Sequence, residues 1–470
     1  MITKLFFLDP PRHVPPLDPE FRPAASANRK FAVEVARSGG GEPLIFGLER
    51  RDGSLSQFET RVLPDSHPHR AANLFYAERL LKFLLWQRGA WKVYVGGPTS
   101  VGEHIQREYS PDGSRAFDYH FMGETVYETP FIVVCCSPEA VPPEKPFEKP
   151  LGRHLNGCRI GFDLGASDLK VSAVVNGEAI FSTEIEWSPK TQTDPAYHME
   201  KVTAALKLAA SKMPRVDAVG GSSAGVYVNN RPMVASLFRG IPKDQFDKVH
   251  SMFIRIRDDL GVPLEVVNDG EVTALAGSMA LEDNGVLGIA LGSSEAAGYV
   301  NLNGNITDGL NELAFAPVDY SPHAPVDEWS GDRGCGALYF SQQCVFRLAP
   351  MAGIDIPEGI SDAQKLAHVQ AYLEKGHAGA DKIWQSMAFY MGYTIAHYAD
   401  FYDFRHVLIL GRCTSGKGGD MIINGARRVL EAEFPEIFSC INMQLPDEKI
   451  RRVGQSIAAA SLPKLNAKAV

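Results

Sequence analysis

Cys158-Arg-Ile-Gly-Phe-Asp163-Leu-Gly-Ala-Ser167 is a short apolar run that delivers an aspartate and then breaks on small residues. A continuous apolar run closed by a turn is the pattern of a buried strand. Downstream, KVSAVVNGEAIFSTEIE continues it as a hairpin, MEKVTAALKLAASK reads as a helix, and VDAVGGSSAG as a strand entering a glycine-rich turn. LEVVNDG, EVTALAGSMALE, VLGIALGSSEAAGYV and HVLILGRCTSGKGGDMIINGARRVLEAEF prolong the alternation of strand and helix. The class is therefore α/β.

Upstream, SPEAVPPEKPFEKPLGR carries prolines at 138, 142, 143, 146 and 150 and reads as an extended boundary, with a domain border near 150. Residues 1 to about 30 are proline-rich and without period, so they are expected to drape over a surface. FAVEVAR is expected as a strand, and PLIFGLERRDGSLSQFETRVL as a hairpin turning at Arg51-Asp52-Gly53. AANLFYAERLLKFLLWQR has a helical stripe and WKVYVGG resembles a strand. This N-terminal unit is mixed α and β.

The chain of 470 residues exceeds what one hydrophobic core organises, so several lobes with clefts between them are expected. Hydrophobic residues at 45% and charged residues at 22% are ordinary globular usage. A net charge of −9 gives no basic footprint for nucleic acid or an anionic membrane. MITKLFFLDPPRHVPP breaks at paired prolines before a secretory apolar region forms, and no run approaches the roughly 20 apolar residues of a membrane span. The seven cysteines are scattered, without repeated CxxC spacing, and read as reduced thiols of a cytosolic protein.

Three predicted strands end in small-residue turns: Asp163 to Ser167, Leu291 to Ser294, and Leu410 to Gly416. Small residues let backbone N–H groups close on an anion, and Ser167, Ser293 and Ser294 add hydroxyl donors, as a triphosphate requires. One such turn is ordinary punctuation; three in series are a signal. GRCTSGKG, Gly411 to Gly418, also matches a Walker A loop except for its last hydroxyl, but too little chain follows to complete a P-loop sheet. No turn supplies the GxGxxG of a dinucleotide fold. In Val267-Asn268-Asp269-Gly270 a strand hands adjacent amide and carboxylate groups to a helix start, which favours ionised Asp269 and suits it to accept a hydroxyl proton. An Asx turn or N-cap explains the same pair structurally.

Together these residues resemble the ROK sugar kinases, of the superfamily that includes acetate kinase, Hsp70 and actin, over roughly 157 to 462. Gly161-Phe-Asp163-Leu-Gly165-Ala166-Ser167-Asp168 stands where that family has D-x-G-G-T, LGSSEAAGYV resembles its second phosphate loop, and VLILGRCTSG its adenosine turn. Asn268-Asp269 matches the family's N-D pair, in which the aspartate is the base and the asparagine a sugar contact. Glu312, in LNELAF, aligns with the glutamate of E-x-G-H, and Glu328, in DEWSGDRGCGALY, resembles the acid preceding S-G that also reaches sugar hydroxyls. Phe315 takes the place of the motif's histidine, the family's cysteine-rich zinc segment is absent, and Ser294 and Glu295 replace glycines where they would crowd or repel a γ-phosphate.

The resemblance implies two actin-like, ribonuclease H-like lobes, 151–275 and 276–470, around a cleft, with 1–150 as an accessory α+β domain whose hairpin, helix and strand echo half of such a lobe without a phosphate turn. It implies ATP held by Gly165, Ala166, Ser167, Asp168, Gly292, Ser293, Ser294, Gly411 and Gly416. Asp163 would anchor Mg²⁺ through water, Asn268, Glu312 and Glu328 would bind a sugar, and Asp269 would be catalytic. The implied reaction is phosphorylation of a sugar hydroxyl. A non-catalytic sugar or nucleotide sensor is the alternative, whereas a ROK-type repressor would need a basic winged helix that the N-terminal residues do not suggest. A homodimer is the default closed assembly.

Overall fold

The computed structural model describes residues 5, 7–145, 150–307, 309–447 and 454–465. Pro146 of the proline-rich boundary and the first four residues lie outside them. FAVEVAR, expected as a strand, is the second half of the helix Ala24–Arg37. Its alternation misleads because Phe31 and Val35 also stand at i and i+4; they are buried with Ala24, Ala27 and Asn28, while Val33 is 49% exposed. The opening residues do more than drape, since Phe7 and Phe21 are buried.

The expected hairpin forms as β1 (Glu42–Glu49) and β2 (Leu55–Val62). After the helix Ala72–Arg88 come β3 (Lys92–Gly96) and β4 (Ile132–Cys136), giving the order β2-β1-β3-β4. β1 runs antiparallel to β3, so this sheet is not the half-lobe its element order suggested. Helix Ala72–Arg88 is buried on nearly every side, and its Trp86 belongs to one continuous apolar core with Ile289, Tyr339 and Trp384. A helix apolar all round is an interior helix.

The stretch that opened the reading is β5 (Cys158–Leu164), buried along its whole length. It pairs antiparallel with β6 (Asp168–Val175), which pairs with β7 (Glu178–Glu186). On its other edge β5 runs parallel to β8 (Ala218–Ser223), which runs parallel to β11 (Leu264–Asn268), beyond the small hairpin β9 (Val226–Val228) and β10 (Arg231–Val234). The order is β11-β8-β5-β6-β7. A central strand apolar on both faces needs cover on both. Helix Pro195–Ala210 packs on one face, and the terminal helix Gln455–Ala460 on the other. Gly161 and Gly220 permit that second approach, for a Cβ there would lie 1.5 Å from the Ser456 carbonyl oxygen and 1.7 Å from that of Ala459.

A second sheet repeats the scheme with β12 (Val286–Leu291), β13 (Glu295–Val300), β14 (His406–Leu410) and β15 (Asn442–Gln444), ordered β13-β12-β14-β15. Its antiparallel and parallel pairings match those of β6-β5-β8-β11. Where an outer strand would extend it, Ile306 makes isolated bridges to Val300 and Leu151. Among the described residues, no helix is long and apolar enough to cross a membrane.

Candidate active site

Asp163 sits at the end of β5, 6% exposed, and accepts a hydrogen bond of 2.6 Å from the Ser222 hydroxyl on neighbouring β8. Burial pushes its carboxyl up to about 6; the Ser222 bond opposes the shift and the charge of Asp269 adds to it. The aspartates at the ends of β5 and β11 therefore feel one another, although more than 100 residues part them in sequence.

Asn268 caps the helix Asp269–Leu281, its side-chain oxygen accepting from the Gly270 N–H at 2.7 Å. Its amide nitrogen donates to the Gly225 carbonyl at 2.8 Å and approaches a Glu312 carboxylate oxygen at 3.5 Å. Capping and convergence on the other predicted groups thus coexist. Asp269 follows, half-buried, with a carboxylate oxygen 3.0 Å from the Gly270 nitrogen. Burial raises its pKa and outweighs the backbone hydrogen bonds that lower it, so the expectation that the helix start would dominate is reversed. Burial, with Asp269 second, pushes Glu312 up to about 7. Asp163, Asn268, Asp269 and Glu312 therefore form one acidic group whose carboxyls are all raised, Asp163 to about 6 and Glu312 to about 7, and upward shifts of this kind suit a general base.

Glycine lets the helix start approach β13. A Cβ on Gly270 would lie 2.5 Å from the Ala297 carbonyl oxygen, and one on Gly298 would lie 2.1 Å from that of Gly270. Glu312 is held from the N-terminal residues: its N–H donates to the Trp86 carbonyl and that of Asn311 to the Gln87 carbonyl, both at 3.0 Å. Asn311, at φ +48°, is buried; its side chain donates to Glu271 and accepts from the Tyr402 hydroxyl at 2.6 Å.

Gly165 to Asp168 form the tight turn between β5 and β6, with Ala166 and Ser167 exposed and the Gly165 N–H donating to the Asp168 carbonyl. Gly292 to Ser294 join β12 to β13, and both serines are exposed. Gly411, at φ +100°, packs against Leu291 so tightly that a Cβ would lie 2.4 Å from its carbonyl oxygen, which brings the second and third turns side by side. Gly411 and Gly416 line a cleft of about 780 Å³ with Lys170, Thr273 and Gln455. That cleft draws on both sheets, since Lys170 lies on β6, opposite Asp163 in register. Lys417 points elsewhere: its ammonium donates to the Glu374 carbonyl at 3.1 Å, which removes the Walker A role.

Two expectations change, and a third residue gains its packing. Glu295 does not face the open side of its turn; it is 3% exposed, accepts from the Tyr398 hydroxyl at 3.0 Å, and burial pushes it up to about 8. A neutral, inward-facing acid neither crowds nor repels a phosphate. Glu328 is exposed on a loop apart from the hydrogen bonds that join Asn268 and Glu312. Phe315, in the histidine's place, packs on Trp86 at 4.4 Å and Trp329 at 5.2 Å. Ser222, Lys170, Thr273, Gln455 and Asn311 escaped the sequence reading. Only Ser222, inside GGSS after a strand, carried a local signal.

No protein-family model matches the chain, and no curated protein matches its sequence. Among solved structures, the ROK hexokinase from Thermus thermophilus superposes with a TM-score of 0.51 at 14% identity, over 64% of this chain and 96% of that one. A ROK family transcriptional regulator, a homolog of the E. coli MLC protein, gives 0.51 at 16% identity, over 66% of this chain and 78% of that one. The ROK family glucokinase from Streptomyces griseus, solved with glucose and AMPPNP, gives 0.47 at 18% identity, over 65% and 98%. At such identities the likeness concerns the fold, and by that measure the chain is a distant structural relative of the ROK proteins.

Proposed function

We propose that the protein is an ATP-dependent kinase that phosphorylates a hydroxyl of a sugar or sugar derivative, closing the lobes 151–275 and 276–470 on its substrates in the cytosol, with 1–150 as an added unit. The observation that carries this reading is the convergence of Asp163, Asn268, Asp269 and Glu312 at strand and helix ends, next to a cleft lined by the Gly411 turn and Lys170. Asn268 and Glu312 orient the acceptor through its hydroxyls, which pair with half-buried carboxylate and amide groups that an apolar mimic would leave unsatisfied. Asp269 takes the proton as the alcohol attacks the γ-phosphoryl group in line. The amides of the turns Gly165–Asp168, Gly292–Ser294 and Gly411–Gly416 steady the spread charge.

Mg²⁺ suits the donor set. The charge of Asp269 adds to the cost of ionising Asp163, and a divalent cation reached from Asp163 through water would relieve that cost while neutralising phosphate charge. Replacing Asp269 by Asn is expected to cut ADP release with Mg·ATP by about 10²–10⁴-fold at little changed acceptor KM. Activity of the unmodified protein should fall with acidification through about 7, where Glu312 protonates. No acceptor-dependent ADP release across hexoses, amino sugars and polyols, or release equal in the Asn variant, would refute the catalytic reading.

A non-catalytic sensor remains the second reading, favoured by Phe315 in place of the histidine and by the equal likeness to a transcriptional regulator. Calorimetric sugar binding without turnover would select it.

A further inference from the structure

Trp329 is 58% exposed and, among the described residues, is the only aromatic among the large apolar side chains left exposed. A lone exposed apolar residue needs no explanation, but this one is built into place. Phe315, Phe117 and Phe121 hold the indole from behind at 5.2, 5.8 and 5.9 Å, all edge-on. The turn that carries it is pinned on one side by Asp327, whose carboxylate accepts from the Ser330 N–H at 2.7 Å and hydroxyl at 2.6 Å. On the other side Asp332, 6% exposed, meets Arg79 at 3.2 Å, Lys82 at 3.2 Å and Arg115 at 2.5 Å. Asp332, Arg79 and Lys82 are buried and Arg115 is half-buried, and the same cations also pair with buried Glu78 and Asp118, so the turn is tied into an interior ion network that fixes its position. The three cations come from residues 79–115, outside the likeness that the sequence carries to the ROK kinases.

Position indicates what the turn serves. Phe315 closes the 3₁₀ turn that begins after Glu312, its N–H donating to the Glu312 carbonyl. Phe315 therefore ties the two together: its backbone is bonded to Glu312 and its ring packs on Trp329 at 5.2 Å. The indole thus stands beside the loop that carries Glu312 without belonging to the groups that meet Asn268, a place for a second ring joined to the first. The apolar face of a pyranose stacks on an aromatic face, while a neighbouring carboxylate, here the exposed Glu328, accepts from its equatorial hydroxyls.

We infer that Trp329 and Glu328 form a second saccharide subsite, so that the preferred ligand is a disaccharide whose distal ring stacks on Trp329. The inference rests on the reading of Glu312 and Asn268 as the acceptor site. It is tested by titrating the full chain with maltose, cellobiose, lactose and chitobiose, and with their constituent monosaccharides, by calorimetry and tryptophan emission. At least one disaccharide should bind about tenfold more tightly than its monosaccharides. Trp329→Ala should abolish that preference while leaving monosaccharide affinity within twofold, and the blue shift of emission on disaccharide binding should vanish in Trp329→Phe. Disaccharides that never outbind their monosaccharides, or a Trp329→Ala loss equal for both, would overturn the subsite. A disaccharide preference retained by a protein without ADP release would spare the subsite and refute the kinase reading.

Discussion

Replacing Glu295 by Gln isolates the cost of a buried carboxyl beside the second turn. One carboxylate oxygen accepts from Tyr398; the other has no hydrogen-bond partner among the described residues and faces Gly336, where even a Cβ would lie 2.0 Å away. Burial raises the group from the ordinary 4.5 to about 8. A raised carboxyl pKa means that the folded protein holds a proton the unfolded chain has lost. The group therefore costs nothing below about 4.5, and its penalty grows as pH rises toward 8. At pH 7 about 2.5 units separate the pH from the unfolded pKa; at 1.36 kcal/mol per unit the penalty is about 3 kcal/mol. Gln keeps the acceptor for Tyr398 and does not titrate. Melting curves between pH 5 and 8.5 should show the unmodified protein losing Tm with rising pH more steeply than the Gln variant, the gap widening to several degrees. The KM for ATP should stay within twofold, because the side chain is turned away from the phosphates. Parallel melting profiles would refute the burial argument, and a KM lowered many-fold would return Glu295 to the phosphate.

Three further perturbations test the scaffold. Asn311→Ala strands the buried Tyr402 hydroxyl and takes one donor from the Glu271 carboxylate, which keeps the Tyr299 N–H; it should cost about 1–3 kcal/mol and raise acceptor KM more than it lowers kcat, as read from steady-state kinetics and melts. Gly161→Ala puts a methyl against the backbone of Ser456 and must displace the terminal helix, whose Gln455 reaches Thr273 at 2.6 Å, so amide exchange should speed up across 455–460 and Tm should fall. Lys417→Ala should leave the KM for ATP within twofold, since its ammonium is spent on Glu374; a tenfold rise would revive the Walker A reading.

What the sequence disclosed is what local pattern encodes. β5 and its hairpin, β8, β11 and the helix Asp269–Leu281 show because apolar runs ending on small residues have few other readings. FAVEVAR failed because i, i+2, i+4 and i, i+4 share two of their three positions, and only tertiary burial separates them. Asp269 was legible as a residue but not in its electrostatics, for a helix start is visible in sequence whereas burial against distant elements is not.

The least legible part is the N-terminal unit, and the reason is physical. Its charged residues read as surface: Arg79 and Lys82 interrupt the apolar stripe of a helix that looks amphipathic. In the fold both are buried, paired with acids from 118 and 332, and the same helix ends by offering its Trp86 and Gln87 carbonyls to Glu312 and Asn311. Buried ion pairs gain little stability over apolar packing but fix relative position strongly. Residues 72–88 thus fix the loop that carries Glu312. Removing 1–150 should therefore expose the core shared with Ile289 and Trp384 and release Glu312, leaving no folded remainder with acceptor affinity. A stable 151–470 fragment that still bound sugar would show that the N-terminal unit merely decorates the site.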